Sequence, residues 1–203
     1  MAVLVSLVLQ LGGTYSWFTQ SEDMANVLMT KDMRFSFTVV EVFEPPETVE
    51  PGQSIEKVVN VKNTGDIPGF VRVLILAEIV SADGMVLEAI PGITYTFDGL
   101  NTTDWSPGNP KLWADGADGY YYYLAVLEAG QTTDMPLFIG ITLADNLGEE
   151  YQNAGMKIEV KLEATETVRA KYRDGWWKNG DVPPAAPALI PIDDTLKLIA
   201  KEA

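Results

Sequence analysis

Residues 157–164 read KIEVKLEA, and the alternation in this stretch decides the fold. In an extended chain Ile158, Val160 and Leu162 fall on one side, and Lys157, Glu159, Lys161 and Glu163 on the other. That period of two predicts a strand with one face on a core and the other towards water. Working outward, residues 136–143 (PLFIGITL) and 120–127 (YYYYLAVL) form two further apolar runs of strand length. Residues 93–97 (ITYTF) and 85–90 (MVLEAI) read the same way. Residues 70–80 (FVRVLILAEIV) are nearly continuous in apolar side chains, which predicts a central strand covered on both faces. Residues 55–61 place Val59 and Val61 on one face. Residues 34–43 alternate, with Phe35, Phe37, Val39 and Glu41 pointing one way. Turn signals separate these runs: Pro45-Pro46, Pro51-Gly52, Asn63-Thr64-Gly65-Asp66, Asp83-Gly84, Asp98-Gly99 and Ala129-Gly130. About eight short strands with this punctuation predict an all-β fold, an antiparallel β-sandwich of jelly-roll type. There is no GxGxxG and no alternation of strands with long helices, which argues against a doubly wound α/β sheet.

Composition narrows the chemistry. The chain has 203 residues, 47% of apolar type and 21% charged, enough for one domain with its own core. It has no Cys, so disulfides, thiolate metal sites and cysteine nucleophiles are excluded. It has no His, which removes the commonest general base and metal ligand. A net charge of −15 disfavours nucleic acid and anionic lipid headgroups as partners.

The two ends differ from the body. Residues 2–11 (AVLVSLVLQL) are apolar but too short to span a bilayer, which takes about 20 residues. Gly12-Gly13 follow, then Thr14-Tyr15-Ser16 with small residues at both ends, in the manner of a signal peptidase site. The expectation is export, with residues 1–16 removed between Ser16 and Trp17 and no stable membrane span in the mature form. No Lys or Arg precedes the apolar run, a departure from the usual signal pattern. Residues 17–32 form the mature N-terminal segment and residues 33–180 the sandwich. Residues 181–203 begin with DVPPAAPALIP, of which 182–191 read as a stiff linker, and end in a helix capped at Asp193 or Asp194. Ile192, Leu196 and Ile199 form its apolar stripe, suited either to packing on the domain or to docking a partner.

A few residue groups could carry chemistry. Asp98, Asp104, Asp115 and Asp118 could offer oxygen ligands to Ca²⁺, but their spacing fits no loop consensus and Asp is common in turns. Tyr120 to Tyr123 alternate on a strand, so two rings face the core and two face out. With Trp105 and Trp113, Tyr121 and Tyr123 make a candidate stacking surface for a glycan or host protein, against the plainer reading of packing. Trp176-Trp177 are expected to close one end of the sandwich. Asn101-Thr102-Thr103 is a glycosylation-type triplet. No spacing suggests a nucleophile with its base, so no catalytic residue, metal or cofactor is assigned.

Several segments together resemble the exported bacterial TasA/camelysin (CalY) family, whose members depend on a dedicated signal peptidase. They are GGTYSWFTQSEDMANVL at 12–28, VEPGQSIEKVVNVKNTGDIPGFVRV at 49–73, DGYYYYLAVLEAG at 118–130, PLFIGITL at 136–143 and KIEVKLEATETVRAKYRDGWW at 157–177. The resemblance implies a jelly-roll sandwich, secretion, cleavage just before Trp17, and a role as a cell-surface or biofilm-matrix subunit that forms fibres. Relatives called camelysins are also labelled metallopeptidases; without His or a zinc motif this chain lends that label no residues.

The leading expectation is therefore a non-enzymatic fibre subunit. Its released N-terminal segment, with Trp17, Phe18, Val27, Leu28 and Met29, would add as a strand to the next copy of the chain. The alternatives are pairing of that segment within its own domain, a surface binding module built on the aromatic stretch from Trp105 to Tyr123, and, ranked last, a peptidase. The expected partners are further copies of the chain, other matrix or cell-surface proteins, and the signal peptidase.

Overall fold

Gly155–Glu166 (β10) lies antiparallel to Gly69–Val80 (β4) along all twelve residues, and this pair is the spine of the larger of two sheets. The computed structural model describes residues 17–20, 34–44, 50–81, 83–88, 94–100, 113–151, 153–178 and 182–202. The other strands are Trp17–Gln20 (β1), Phe37–Phe43 (β2), Ser54–Asn63 (β3), Val86–Leu87 (β5), Tyr95–Asp98 (β6), Trp113–Asp115 (β7), Tyr120–Tyr123 (β8) and Phe138–Leu143 (β9). The first sheet has six strands in the order β1-β10-β4-β8-β7, with β5 also on β4. The second has four, β2-β3-β9-β6. Among the strands described, every pairing is antiparallel except β1 with β10. This is the all-β sandwich that the alternating stretches predict.

The core lies between the sheets. Met156, Ile158, Val160 and Leu162 of β10 and Val71 and Val73 of β4 meet Val59, Val61, Phe138 and Ile141 from the facing sheet. Trp113 and Tyr123 fill the same layer, both essentially without solvent exposure. Asn63, also buried, ties down the loops at one end: its side-chain amide donates to the carbonyls of Ile67 and Leu127.

A second apolar layer covers the outside of the six-stranded sheet. Helix Arg169–Trp177 (α1) places Tyr172, Arg173 and Trp176 inward, on one stripe of i, i+3 and i+4 neighbours. Helix Leu189–Ile199 (α2) buries Leu189, Ile192, Asp193 and Leu196. These side chains close over Phe70, Ala114, Tyr122 and Leu124. The chain end is stitched back beside β10, where the Lys201 N–H donates to the Thr167 carbonyl.

Several expectations change here. Residues 189–191 belong to α2 and not to a linker, because Pro191 sits in the first helical turn, where its missing N–H has no partner to lose. The helix is capped at Ala188, and Asp193 is buried instead of capping. Ile199 is 41% exposed, and Leu189 takes its place in the buried stripe. Helix α1 has no counterpart in the sequence reading, and through it Trp176 and Trp177 roof a sheet face and do not close an end. The strand β7 has no counterpart among the strand-length runs read from the sequence. Strand β4 is covered on both faces only over its first part; Phe70 is buried but Leu76, also outward, is 38% exposed.

Candidate functional site

The candidate site is the outer edge of β10. One edge of this strand is fully taken by β4. Along the other, β1 runs parallel in the register Trp17↔Gly155, Phe18↔Met156, Thr19↔Lys157 and Gln20↔Ile158. Beyond Ile158, residues 159–166 have no second strand partner among the described residues. A parallel pair is slightly weaker per residue than an antiparallel one, and the described residues show four such pairs. Where a strand edge is left open, its N–H and C=O groups are a ready template for another strand.

Trp17 and Phe18 are backbone-paired to their own domain, the arrangement given above as an alternative to strand addition, so the segment after the Ser16–Trp17 junction starts as a seated strand. Ser16 itself, and Val27, Leu28 and Met29, lie outside the described residues.

The aromatic binding surface is corrected. Trp113 is fully buried, with its indole N–H donating to the Met135 carbonyl at 3.0 Å. Tyr123 is buried against it at 5.2 Å between ring centroids. Tyr121 packs on the same core, half-buried. Alternation puts these two tyrosines inside the sandwich, and no open stacking face results among the described residues. Trp105 and the Asn101-Thr102-Thr103 triplet lie outside the described residues.

The other two tyrosines face the helices and build a polar network that sequence reasoning missed. Arg72, 6% exposed, stacks its guanidinium 3.8 Å from the Tyr120 ring centroid. It donates to Glu163 from Nε and Nη2, at 2.8 and 2.7 Å. Tyr120 donates its hydroxyl to the same carboxylate at 2.8 Å. The Tyr122 hydroxyl accepts from Arg72 and from the Trp177 indole, and donates to Asp118 at 2.7 Å. The sequence does hold a clue: Arg72 interrupts an apolar run, and in the register it faces Tyr122. A buried arginine needs partners, and aromatic faces supply one kind.

Asp118 therefore serves the tyrosines and its own turn, where it accepts from the Tyr120 N–H. Asp115 accepts from the Ala117 N–H in the same turn. Asp98 is in the other sheet, accepting from the hydroxyls of Ser54 and Thr142. The structure thus separates Asp98 from Asp115 and Asp118, and Asp104 lies outside the described residues. Among the described residues no three carboxylates gather to hold a metal ion. No described helix is long and apolar enough to cross a membrane.

Burial, and next the hydrogen bond given to Asp118, raise the Tyr122 phenol well above the usual tyrosine range. Burial and the bond to Asp193 do the same for Tyr172. An unfolded tyrosine ionises near pH 10, while these two stay protonated in the fold. The unfolded state then holds fewer protons, so their contribution is complete below about pH 10 and is lost as pH rises beyond it. The expected slope is up to about 1.4 kcal/mol per pH unit for each tyrosine. Urea unfolding between about pH 8 and about pH 11 should show a plateau and then a fall, and Tyr122→Phe with Tyr172→Phe should flatten that fall.

Comparison with protein-family models, curated proteins and solved structures finds no match to this chain.

Proposed function

We propose that this chain is a secreted cell-surface or matrix structural protein that assembles with copies of itself by strand addition. In this reading the fold is a jelly roll and the protein has no reactive centre. The observation that carries the proposal is the placement of β1. The strand that begins at the candidate cleavage junction occupies one edge of β10, through four backbone pairs among the described residues. In the proposal, removing residues 1–16 frees the start of that strand. It then leaves its own β10 and pairs with the β10 of a neighbour, with main-chain bonds supplying affinity. A head-to-tail contact of this kind does not close on itself and produces a filament. The resemblance to the TasA/camelysin family supports the same reading.

The competing picture of an aromatic binding module loses two of its four residues, Trp113 and Tyr123, which are buried. Electron microscopy tests the proposal. Chain beginning at Trp17 should form filaments, while chain retaining residues 1–16 should remain monomeric. Monomers in both samples, or filaments in both, would contradict it.

A further inference from the structure

The buried face of β3 includes one charge. Ile55, Lys57, Val59 and Val61 alternate along it, and the other three are apolar. In the register with β2, Phe43 lies opposite Lys57 and Glu41 opposite Val59. Glu41 is thus a diagonal neighbour of Lys57 on the same face, within reach of a long side chain. Lys57 Nζ stands 2.5 Å from Glu41 Oε2 and 4.9 Å from the Phe43 ring centroid. Lys57 is 2% exposed and the Glu41 side chain 15%. Two charges kept from water in this way are costly. Among the described residues the other buried cations are Arg72 and Arg173. A guanidinium keeps its proton, whereas a lysine that sheds one becomes a nucleophilic amine. The described lysine pairs at Lys161 and Lys197 lie in solvent, with side chains 44% and 40% exposed. Among the described residues, Lys57 alone therefore joins an amine, a carboxyl group in contact with it and a site closed to bulk water.

We infer that Lys57 and Glu41 condense in the folded chain, forming a side-chain amide that ties β2 to β3. The ammonium passes one proton to Oε2, leaving an amine beside a carboxylic acid. The Nζ lone pair then attacks Cδ. The Nζ–Cδ bond forms, a second proton moves from Nζ to the departing hydroxyl, the Cδ–Oε2 bond breaks and one water leaves. Nothing is oxidised or reduced, and no co-reactant is needed. In dilute solution such a condensation is slow and water reverses it. Held in contact, the two groups act at a high effective concentration. Burial keeps bulk water from the amide once the released molecule has escaped. The product replaces two buried charges with one neutral group, which relieves their desolvation cost. A chain without cysteine thereby gains a covalent staple across two strands. Both partners belong to one chain, so the bond forms whether or not the chain makes filaments.

Mass spectrometry of the full, folded chain tests this. The protein should be lighter than its sequence by one water. Trypsin should fail at the modified Lys57, so that residues 35–62 appear as one peptide lacking one water. Cleavage after Glu47 should leave Glu41 and Lys57 on two peptides that stay joined. This mapping separates the amide from water lost at an Asp-Gly turn. Lys57→Arg keeps the ion pair but has no amine, and its peptides across residues 35–62 should have their full mass. If that variant does not fold, Glu41→Val with Lys57→Met removes both groups and should give the same result. A folded parent chain in which trypsin cuts freely after Lys57 and residues 35–62 keep their full mass overturns the inference. So does a folded variant that still lacks a water in that stretch. Filaments, or their absence, leave this mass unchanged, so failure of the filament reading and failure of this one are distinguishable.

Discussion

Asp193→Ala is expected to destabilise the fold by about 3–5 kcal/mol, the cost of breaking a buried ion pair by removing its carboxylate. Asp193 is 1% exposed and Arg173 4%. The guanidinium donates to both carboxylate oxygens, from Nε at 2.8 Å and Nη2 at 2.7 Å. The Tyr172 hydroxyl donates to the same carboxylate at 2.8 Å. The carboxylate holds Arg173 above even its ordinary high pKa, chiefly through these hydrogen bonds. Removing Asp193 leaves an arginine and a phenol facing each other under α2. Typical domains have about 5–15 kcal/mol in total, so this single change takes a large share. Replacing both partners, Arg173→Met with Asp193→Leu, should restore most of the loss, because an apolar pair of similar size often matches a buried ion pair. Denaturant unfolding measures both. A loss below about 1 kcal/mol for Asp193→Ala would show that the helical layer does not depend on this lock.

The second large effect concerns assembly. Deleting residues 17–30 from the processed chain should abolish filaments and leave a soluble, folded monomer. The deletion removes β1 but none of the described residues of the β4–β10 spine or of the two apolar layers. Far-ultraviolet circular dichroism should therefore change little while the electron micrographs change completely. A synthetic peptide of residues 17–30 should then bind the shortened chain at the vacant β10 edge. Filaments formed as readily by the shortened chain would place the contact elsewhere.

The sandwich is legible in the sequence because its inner residues repeat every second position. Ile158, Val160 and Leu162 announce one face of β10, and Val59 with Val61 one face of β3. The helical layer is hidden for a physical reason. Helix α1 carries Arg169, Lys171, Arg173 and Asp174 among its nine residues, so no apolar stripe stands out. Its burial depends on Arg173 meeting Asp193 and on Arg72 meeting Glu163, contacts between residues far apart in the chain. Pairing of that kind has no local sequence signal. The four tyrosines are readable as two faces, but not which partners cover the outward pair, because those partners come from the unforeseen helix. Pro191 misleads for a related reason: proline breaks a helix interior but fits its first turn, and only the start of α2 reveals which applies. The candidate site is half legible. The apolar segment after Ser16 is visible as a strand; its parallel seat on β10 is not, since a parallel partner far along the chain leaves no turn between the two strands.

The absence of cysteine from the chain permits a direct test of strand exchange. Thr19 and Lys157 are register partners across the β1–β10 edge. Two processed variants, one with Thr19→Cys and one with Lys157→Cys, are mixed under oxidising conditions that allow assembly. Each chain then has a single thiol, so a disulfide joining positions 19 and 157 can form only between chains. If β1 of one subunit seats on β10 of the next, the filaments should yield covalently linked pairs joined at those two positions. If filaments form and contain no such link, the strand stays in its own domain and assembly by strand exchange is wrong.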